Sequence, residues 1–211
     1  MSESKIIDCV QGSDEWFAVK LGKISSSRIS EVMAKSKDGK GYGVTRLKYM
    51  KQLIAERITG ERQESYTNSA MARGTEIEPQ AREHYAKLNP NCVIKQVGFI
   101  QLSEDEGSSP DALVDNDGTL EIKCPSGTTH IDNILDDCIP SEYIPQVQHQ
   151  LYVSGRSWCD FMSFYPAFKK TPALIKRVYR DEVLIEKMKK EVAIFLGELN
   201  EMMNKINNEE F

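Results

Sequence analysis

Apolar side chains recur along this chain with two periods, and the period separates helix from strand. Between 45 and 58, Leu47, Met50, Leu53, Ile54 and Ile58 fall three and four apart, which predicts a helix stopping near Gly60. Val183, Leu184, Met188, Val192, Phe195, Leu196, Leu199 and Met203 repeat that spacing and predict one long amphipathic helix over about 181–206. Shorter helices are expected at 16–21, ended by Gly22, and from the Ser25-Ser-Ser27 caps through Ile29, Val32 and Met33. Two more are expected at 79–88 and 145–153, each with proline in its first turn.

Segments 93–102, 109–115, 119–124, 158–165 and 173–179 read as strands. Asn116-Asp117-Gly118 joins the second to the third as a hairpin. Residues 38–43 hold three glycines and form a loop, and 61–69 are polar and expected to be irregular. With no internal repeat and no low-complexity linker, the expected fold is one mixed α/β domain, with a core over about 10–180 and a C-terminal helix.

A length of 211 residues, with 40% hydrophobic and 28% charged side chains, suits a single globular domain. No stretch approaches the ~18 apolar residues of a membrane span. The first residues lack a basic segment followed by an apolar one, so secretion is not expected. Five cysteines and three histidines show no metal-ligand spacing, and the cysteines read as free thiols in a reducing cytoplasm. The 27 basic residues against 32 acidic ones argue, taken as a sum, against a nucleic-acid partner. Position changes that. Six basic residues (Lys35, Lys37, Lys40, Arg46, Lys48, Lys51) and one acid fall within 35–51, which suits contact with a phosphate backbone, while five acids and one lysine fall within 191–211.

The most informative stretch runs from Ser109-Pro-Asp111 through Leu120-Glu-Ile-Lys-Cys-Pro125. Alternation on a strand puts Glu121 and Lys123 on one face and Leu120 and Ile122 on the other. With the turn at 116–118, Asp111 falls opposite Lys123 and diagonal to Glu121, at about 5 Å and about 7 Å. Two carboxylates and an amine then share one patch. Hard oxygen ligands of this kind suit Mg²⁺ or Mn²⁺ and metal-assisted phosphodiester hydrolysis, with the Ile122 carbonyl as a further oxygen and Lys123 acting on the attacking water. The competing reading is a solvated hairpin face with a weak surface ion pair.

The flanking residues favour the first reading. In order come Gln11-Gly-Ser-Asp-Glu-Trp16, Lys20-Leu-Gly22, Ile24-Ser-Ser-Ser27, Arg73-Gly-Thr-Glu-Ile-Glu78, Ser109-Pro-Asp111, Leu120-Glu-Ile-Lys-Cys-Pro125 and Tyr143-Ile-Pro-Gln-Val-Gln148. This ordered set resembles the lambda exonuclease family (YqaJ-like phage recombination exonucleases) of the PD-(D/E)xK nucleases, over about 10–180. The resemblance implies a restriction-endonuclease-like core, a mixed β-sheet flanked by α-helices. It implies a Mg²⁺-dependent 5′→3′ exonuclease on linear double-stranded DNA, with Mn²⁺ as a substitute. Asp111, Glu121 and the Ile122 carbonyl would hold the metal, Lys123 would act on water, Glu78 would stand at a helix start beside the metal, and Gln146 would lie next to the site.

The resemblance further assigns Lys20, Ser27 and Ser109 to a pocket for the terminal 5′-phosphate, with Arg28 as a neighbouring DNA contact. Lambda exonuclease itself has arginine where this chain has Lys20, so the bidentate fork is lost. Trp16 and Phe17 read as core. The implied partners are DNA ends, two further copies in a trimeric ring, and a single-strand annealing protein; the implied setting is the cytoplasm of a bacterial host, from a phage or prophage. An endonuclease of the same superfamily, an iron–sulfur relative and a non-catalytic DNA-end binder are the alternatives.

Overall fold

The computed structural model describes residues 4–39, 41–63 and 69–208. Among the described residues, nine strands form two sheets: β1 (Lys5–Ile7), β2 (Ile24–Ser25), β3 (Ile94–Lys95), β4 (Phe99–Gln101), β5 (Glu106–Ser108), β6 (Ala112–Val114), β7 (Gly118–Lys123), β8 (Trp158–Phe164) and β9 (Ala173–Tyr179). The helices are α1 (Asp14–Lys20), α2 (Ile29–Val32), α3 (Val44–Thr59), α4 (Ser69–Leu88), α5 (Gly127–Asp136), α6 (Ile144–Ser154) and α7 (Glu182–Asn208). The fold is mixed α/β. A sheet in the order β3-β6-β7-β8-β9 carries the hairpin near its centre, and a smaller sheet runs β1-β4-β5-β2.

The central pair is parallel, β7 beside β8 over six residues, and antiparallel strands flank it. Alternation divides its side chains between two layers. Leu120, Ile122, Met162 and Phe164 pack with Ala81 and Tyr85 of α4. Cys159 and Phe161 pack with Val147 and Leu151 of α6. A third apolar body joins α2, α3 and α7 around Tyr49, Leu53, Met188 and Phe195.

Ionic contacts fix these layers. Buried Asp160 on β8 takes both Arg177 nitrogens, at 2.8 and 2.9 Å, and the Tyr85 hydroxyl at 2.6 Å, tying α4 and β9 to one strand. Arg156 donates to the carbonyls of Val114, Asp115 and Gly118 and so closes the β6–β7 turn. All five cysteines are free. Among the described residues no helix is long and apolar enough to cross a membrane.

Several expectations change. The span 93–102 is two strands in different sheets, because the Val97 and Gly98 carbonyls are taken by Gln11 and Trp16 side chains instead of a ladder. The Ser25 side chain makes no cap bond, and the helix after it is one turn long. Helix α4 starts ten residues before Pro79, which lies in its interior. Glu78 is therefore mid-helix and not at a helix start. Of the six basic residues in 35–51, Lys35 is paired with Glu191 at 2.8 Å, and buried Arg46 is bonded to Glu198 and the Val32 carbonyl. Lys40 lies outside the described residues, and Lys37, Lys48 and Lys51 remain exposed.

The hairpin register also differs from expectation. Val114 pairs with Gly118 and Ala112 with Leu120, so the turn is 115–117, with Asp115 at φ 49° in the left-handed region. Gly118 is a strand residue whose task is close approach: a Cβ there would lie 2.2 Å from the Trp158 ring. Gly118→Ala should therefore overpack this contact and cost about 1–3 kcal/mol, read as a lower urea midpoint with unchanged m-value. A midpoint equal to wild type would show that Trp158 moves aside freely.

Candidate active site

With that register, Asp111 faces Glu121 across the two strands, and its N–H donates to the Leu120 carbonyl at 3.1 Å. The two-residue slip preserves the face, so the side chains predicted to meet do meet; only their partners change. Asp111 Oδ2 accepts the Ile122 N–H at 2.5 Å. Buried Glu121 accepts from Lys123 Nζ at 2.7 Å and from Gln146 Nε2 at 2.5 Å, both on Oε1. Gln146 comes from the first turn of α6, where Pro145 is tolerated because no backbone N–H is needed there. Gln148, two residues on, bonds instead to the Tyr179 carbonyl and the Asp181 N–H. Gln150 is buried on α6, with its amide nitrogen unpartnered among the described residues.

From α4, Glu78 is bonded to Arg82, whose guanidinium also donates to the Asp111 carbonyl at 3.3 Å. Enclosure, then the charges of Glu121 and Glu78, hold the Asp111 carboxyl well above the ordinary range. Glu78 is raised by enclosure, and the Arg82 charge offsets part of this. Enclosure alone would lower Lys123, but the Glu121 and Asp111 charges outweigh it and keep the ammonium protonated.

A second cleft of about 270 Å³ opens beside α1, lined by Lys20, Ser27, Arg28 and Arg62 among others. The Ser25 and Ser27 hydroxyls are 3.2 Å apart at its wall. Arg28 is committed elsewhere: two of its nitrogens bond Glu31 and a third lies 3.3 Å from Gln52. Ser109 does not line this cleft. It accepts the Trp16 indole N–H at 2.8 Å, while Lys20 sits over the face of that indole, 3.5 Å from the ring centroid. Trp16 and Phe17 are half-buried and belong to no core cluster, contrary to expectation. Enclosure, then the Arg62 charge, bring Lys20 down to about 8.

The sequence matches the YqaJ-like viral recombinase domain over residues 15–157. The chain belongs to the YqaJ-like viral recombinase family. It is similar in structure to an alkaline exonuclease, LHK-Exo, from Laribacter hongkongensis, with a TM-score of 0.84 and 38% identity over 92% of this chain and 96% of that one. The same relative in complex with dAMP matches at a TM-score of 0.83. A phage related exonuclease from Haemophilus somnus 129PT shares the fold, with a TM-score of 0.69 and 16% identity over 87% of this chain and 96% of that one. No curated protein sequence matches the chain.

Set against the other YqaJ-like features, Arg82 and Tyr143 are site residues that sequence reasoning missed. Arg82 follows Glu78 by one helical turn, a spacing that could have revealed it. Tyr143 stacks on Phe161 and lies 5.1 Å beneath the Lys123 ammonium; only its place in the Tyr143-to-Gln148 motif marked it.

Among the described residues no three His, Cys, Asp or Glu side chains converge as a ready-made metal cage. Glu78 is turned to Arg82, which leaves Asp111 and Glu121 as the carboxylates available to a metal. Two opposed carboxylates that raise a proton affinity are nonetheless the chemistry that a hard dication relieves, and so the residues fit one. Asp111→Asn should remove the repulsion while keeping an acceptor for the Ile122 N–H. Without metal it should stabilise the fold at neutral pH by on the order of 1 kcal/mol, read as a higher Tm. Because the folded-state pKa of Asp111 is raised, that gain should vanish as pH falls into the ordinary carboxylate range, where wild-type Asp111 is itself neutral. Millimolar Mn²⁺ should raise the Tm of wild type but not of the variant. An equal rise in both would exclude Asp111 as a ligand.

Proposed function

We propose that the protein is a Mg²⁺-dependent exonuclease that degrades linear double-stranded DNA 5′→3′ and leaves a 3′ single-stranded tail. The observation that carries this reading is the gathering of Lys123 and Gln146 on Glu121, with Asp111 bonded to the same strand at Leu120 and Ile122. Family membership and the alkaline exonuclease relative support it.

Asp111, Glu121 and the Ile122 carbonyl would hold Mg²⁺, with Mn²⁺ able to replace it. When bound, the ion would supply a more acidic water and offset phosphate charge. The chain's own groups do the rest. Gln146 donates to Glu121 and fixes that carboxylate; Lys123 keeps a proton at Nζ and points it at the same oxygen. A water oriented within hydrogen-bond reach of Lys123 attacks phosphorus and loses its proton to bulk solvent, and the P–O3′ bond breaks as the departing 3′ oxygen takes a proton from solvent. The leaving nucleotide carries away a 3′-hydroxyl, and the remaining strand keeps a new 5′-phosphate. Lys20 and Ser27 would receive that end, with Arg28 positioned by Glu31 at the rim. Ser109 serves instead to anchor Trp16.

Duplex labelled at either 5′ or 3′ ends tests reaction and polarity together. Mononucleotide release from the 5′ label in Mg²⁺, none with chelator, and an intact closed circle are expected. Cutting of the circle would make the enzyme an endonuclease. Glu121→Gln and Lys123→Ala should each lower the rate by about 10²-fold or more with the fold retained, and normal digestion by Lys123→Ala would remove that residue from the chemistry. The proposal extends to a ring of three subunits and to hand-over of the tail to a single-strand annealing protein. Light scattering should give three times the 23.9 kDa chain mass, and a monomer mass would overturn the ring.

A further inference from the structure

Arg73 lies near the start of α4, the helix that brings Glu78 and Arg82 to the carboxylates. Its guanidinium reaches the end of β7, where Nη2 is 3.5 Å from the Cys124 carbonyl, one residue past Lys123. Its Nε is buried and has no hydrogen-bond partner among the described residues. The acids of the site are engaged with other groups: Glu78 with Arg82, Glu121 with Lys123 and Gln146, and Asp111 with the Ile122 N–H. Arg57, Arg156, Arg177 and Arg180, by contrast, each hold an acceptor at 2.7 or 2.8 Å. A guanidinium has five N–H donors, and enclosing one with a single long contact is unfavourable unless an acceptor arrives.

The neighbouring thiol shows where that acceptor would sit. Enclosure pushes Cys124 up to about 11; the charges of Glu78 and Asp111 add to this, and those of Arg73 and Lys123 oppose it. One side chain thus feels both acids and both cations, so Arg73 stands at the margin of the carboxylate site. Its side is also defined. Helix α4 packs on one face of the large sheet and α6 on the other. The cleft beside α1 belongs to the α6 side, where Ser26 bonds His149 of α6 at 2.9 Å. A DNA strand running from that cleft across Asp111 and Glu121 leaves toward α4 and Arg73.

We propose that Arg73 holds the first phosphate beyond the cleavage point, in the part of the DNA strand not yet cut. This rests on the exonuclease reading above. An internucleotide phosphate offers two non-bridging oxygens, which suit the parallel N–H donors of a guanidinium. After one nucleotide is released, the same phosphate moves up to become the one that is cut. Arg73 therefore aligns the next bond while Lys123 and the carboxylates act on the present one.

The test uses linear duplex with one neutral methylphosphonate linkage in the 5′-ended strand, either at that phosphate or far inside as a control. Single-turnover release of the terminal nucleotide is measured in Mg²⁺ for wild type, Arg73→Gln and Arg73→Lys, with circular dichroism melts to check folding. The near linkage should slow wild type by about tenfold, and the far one should not. Arg73→Gln should be slower than wild type by about tenfold on ordinary DNA and lose nothing more to the near linkage, and Arg73→Lys should recover part of the rate. Arg73→Gln keeps a donor for the Cys124 carbonyl, so a wild-type rate in this variant overturns the proposal. An equal penalty from the near linkage in variant and wild type overturns it as well. A parallel arm measures anisotropy of the same duplexes with Ca²⁺ replacing Mg²⁺. Wild type should lose about fivefold in affinity to the near linkage and Arg73→Gln should lose none. Equal losses would overturn the phosphate contact, and this arm decides it even if wild type releases no nucleotide and the exonuclease reading fails.

Discussion

Two carboxylates face each other on neighbouring strands of a sheet, and the backbone gives them no way to part. Asp111 is fixed by the ladder bond from its N–H to the Leu120 carbonyl and by the Ile122 N–H on its own carboxylate. Glu121 is fixed by burial in a six-residue strand. Like charges placed opposite each other in a sheet are unfavourable, so every neighbouring element responds to the pair. Lys123 supplies a cation from the same strand, α6 supplies an amide through Gln146, and α4 supplies Arg82 against Glu78 and the Asp111 carbonyl.

The architecture around the pair is built to keep it from relaxing. The strand bearing Glu121 lies between α4 and α6, each clamped to the sheet by its own apolar layer. Asp160 holds α4 and β9 through Tyr85 and Arg177, and Arg156 closes the hairpin turn through three carbonyls. Repulsion in so rigid a frame is removed by a cation or a proton far more readily than by movement, which is the condition for a preorganised site.

How much of this could be read from residues alone depended on whether the signal was local. Helices α3 and α7 were legible because a 3.6-residue apolar period needs only the sequence. The chemistry of the hairpin was legible too, since alternation assigned faces correctly. The register was not, because Asn116-Asp117-Gly118 reads as a turn whether glycine serves the turn or makes room for Trp158, forty residues away. Pro79 misled in a similar way: it reads as a helix start, yet α4 carries it internally. Helix α5 went unseen, its Thr128, Thr129 and Ile131 being weak helix formers, although Ser126 caps it. Strands of two or three residues show no period at all. Lys35 and Arg46 looked like a DNA-facing run because their acidic partners lie about 150 positions on, in α7.

The indole of Trp16 joins the two working regions of the molecule. One side bears Lys20, and its N–H reaches Ser109, two residues before Asp111. Gln11 reinforces the link by bonding the Pro110 carbonyl at 2.9 Å. The cleft and the carboxylates are therefore tied to one another by side-chain hydrogen bonds from Trp16 and Gln11. On the proposed reading this makes the pair a gauge. The length of each released fragment is set by the spacing between the grip on a strand end and the point of cleavage, and a rigid spacer returns the same length at every step.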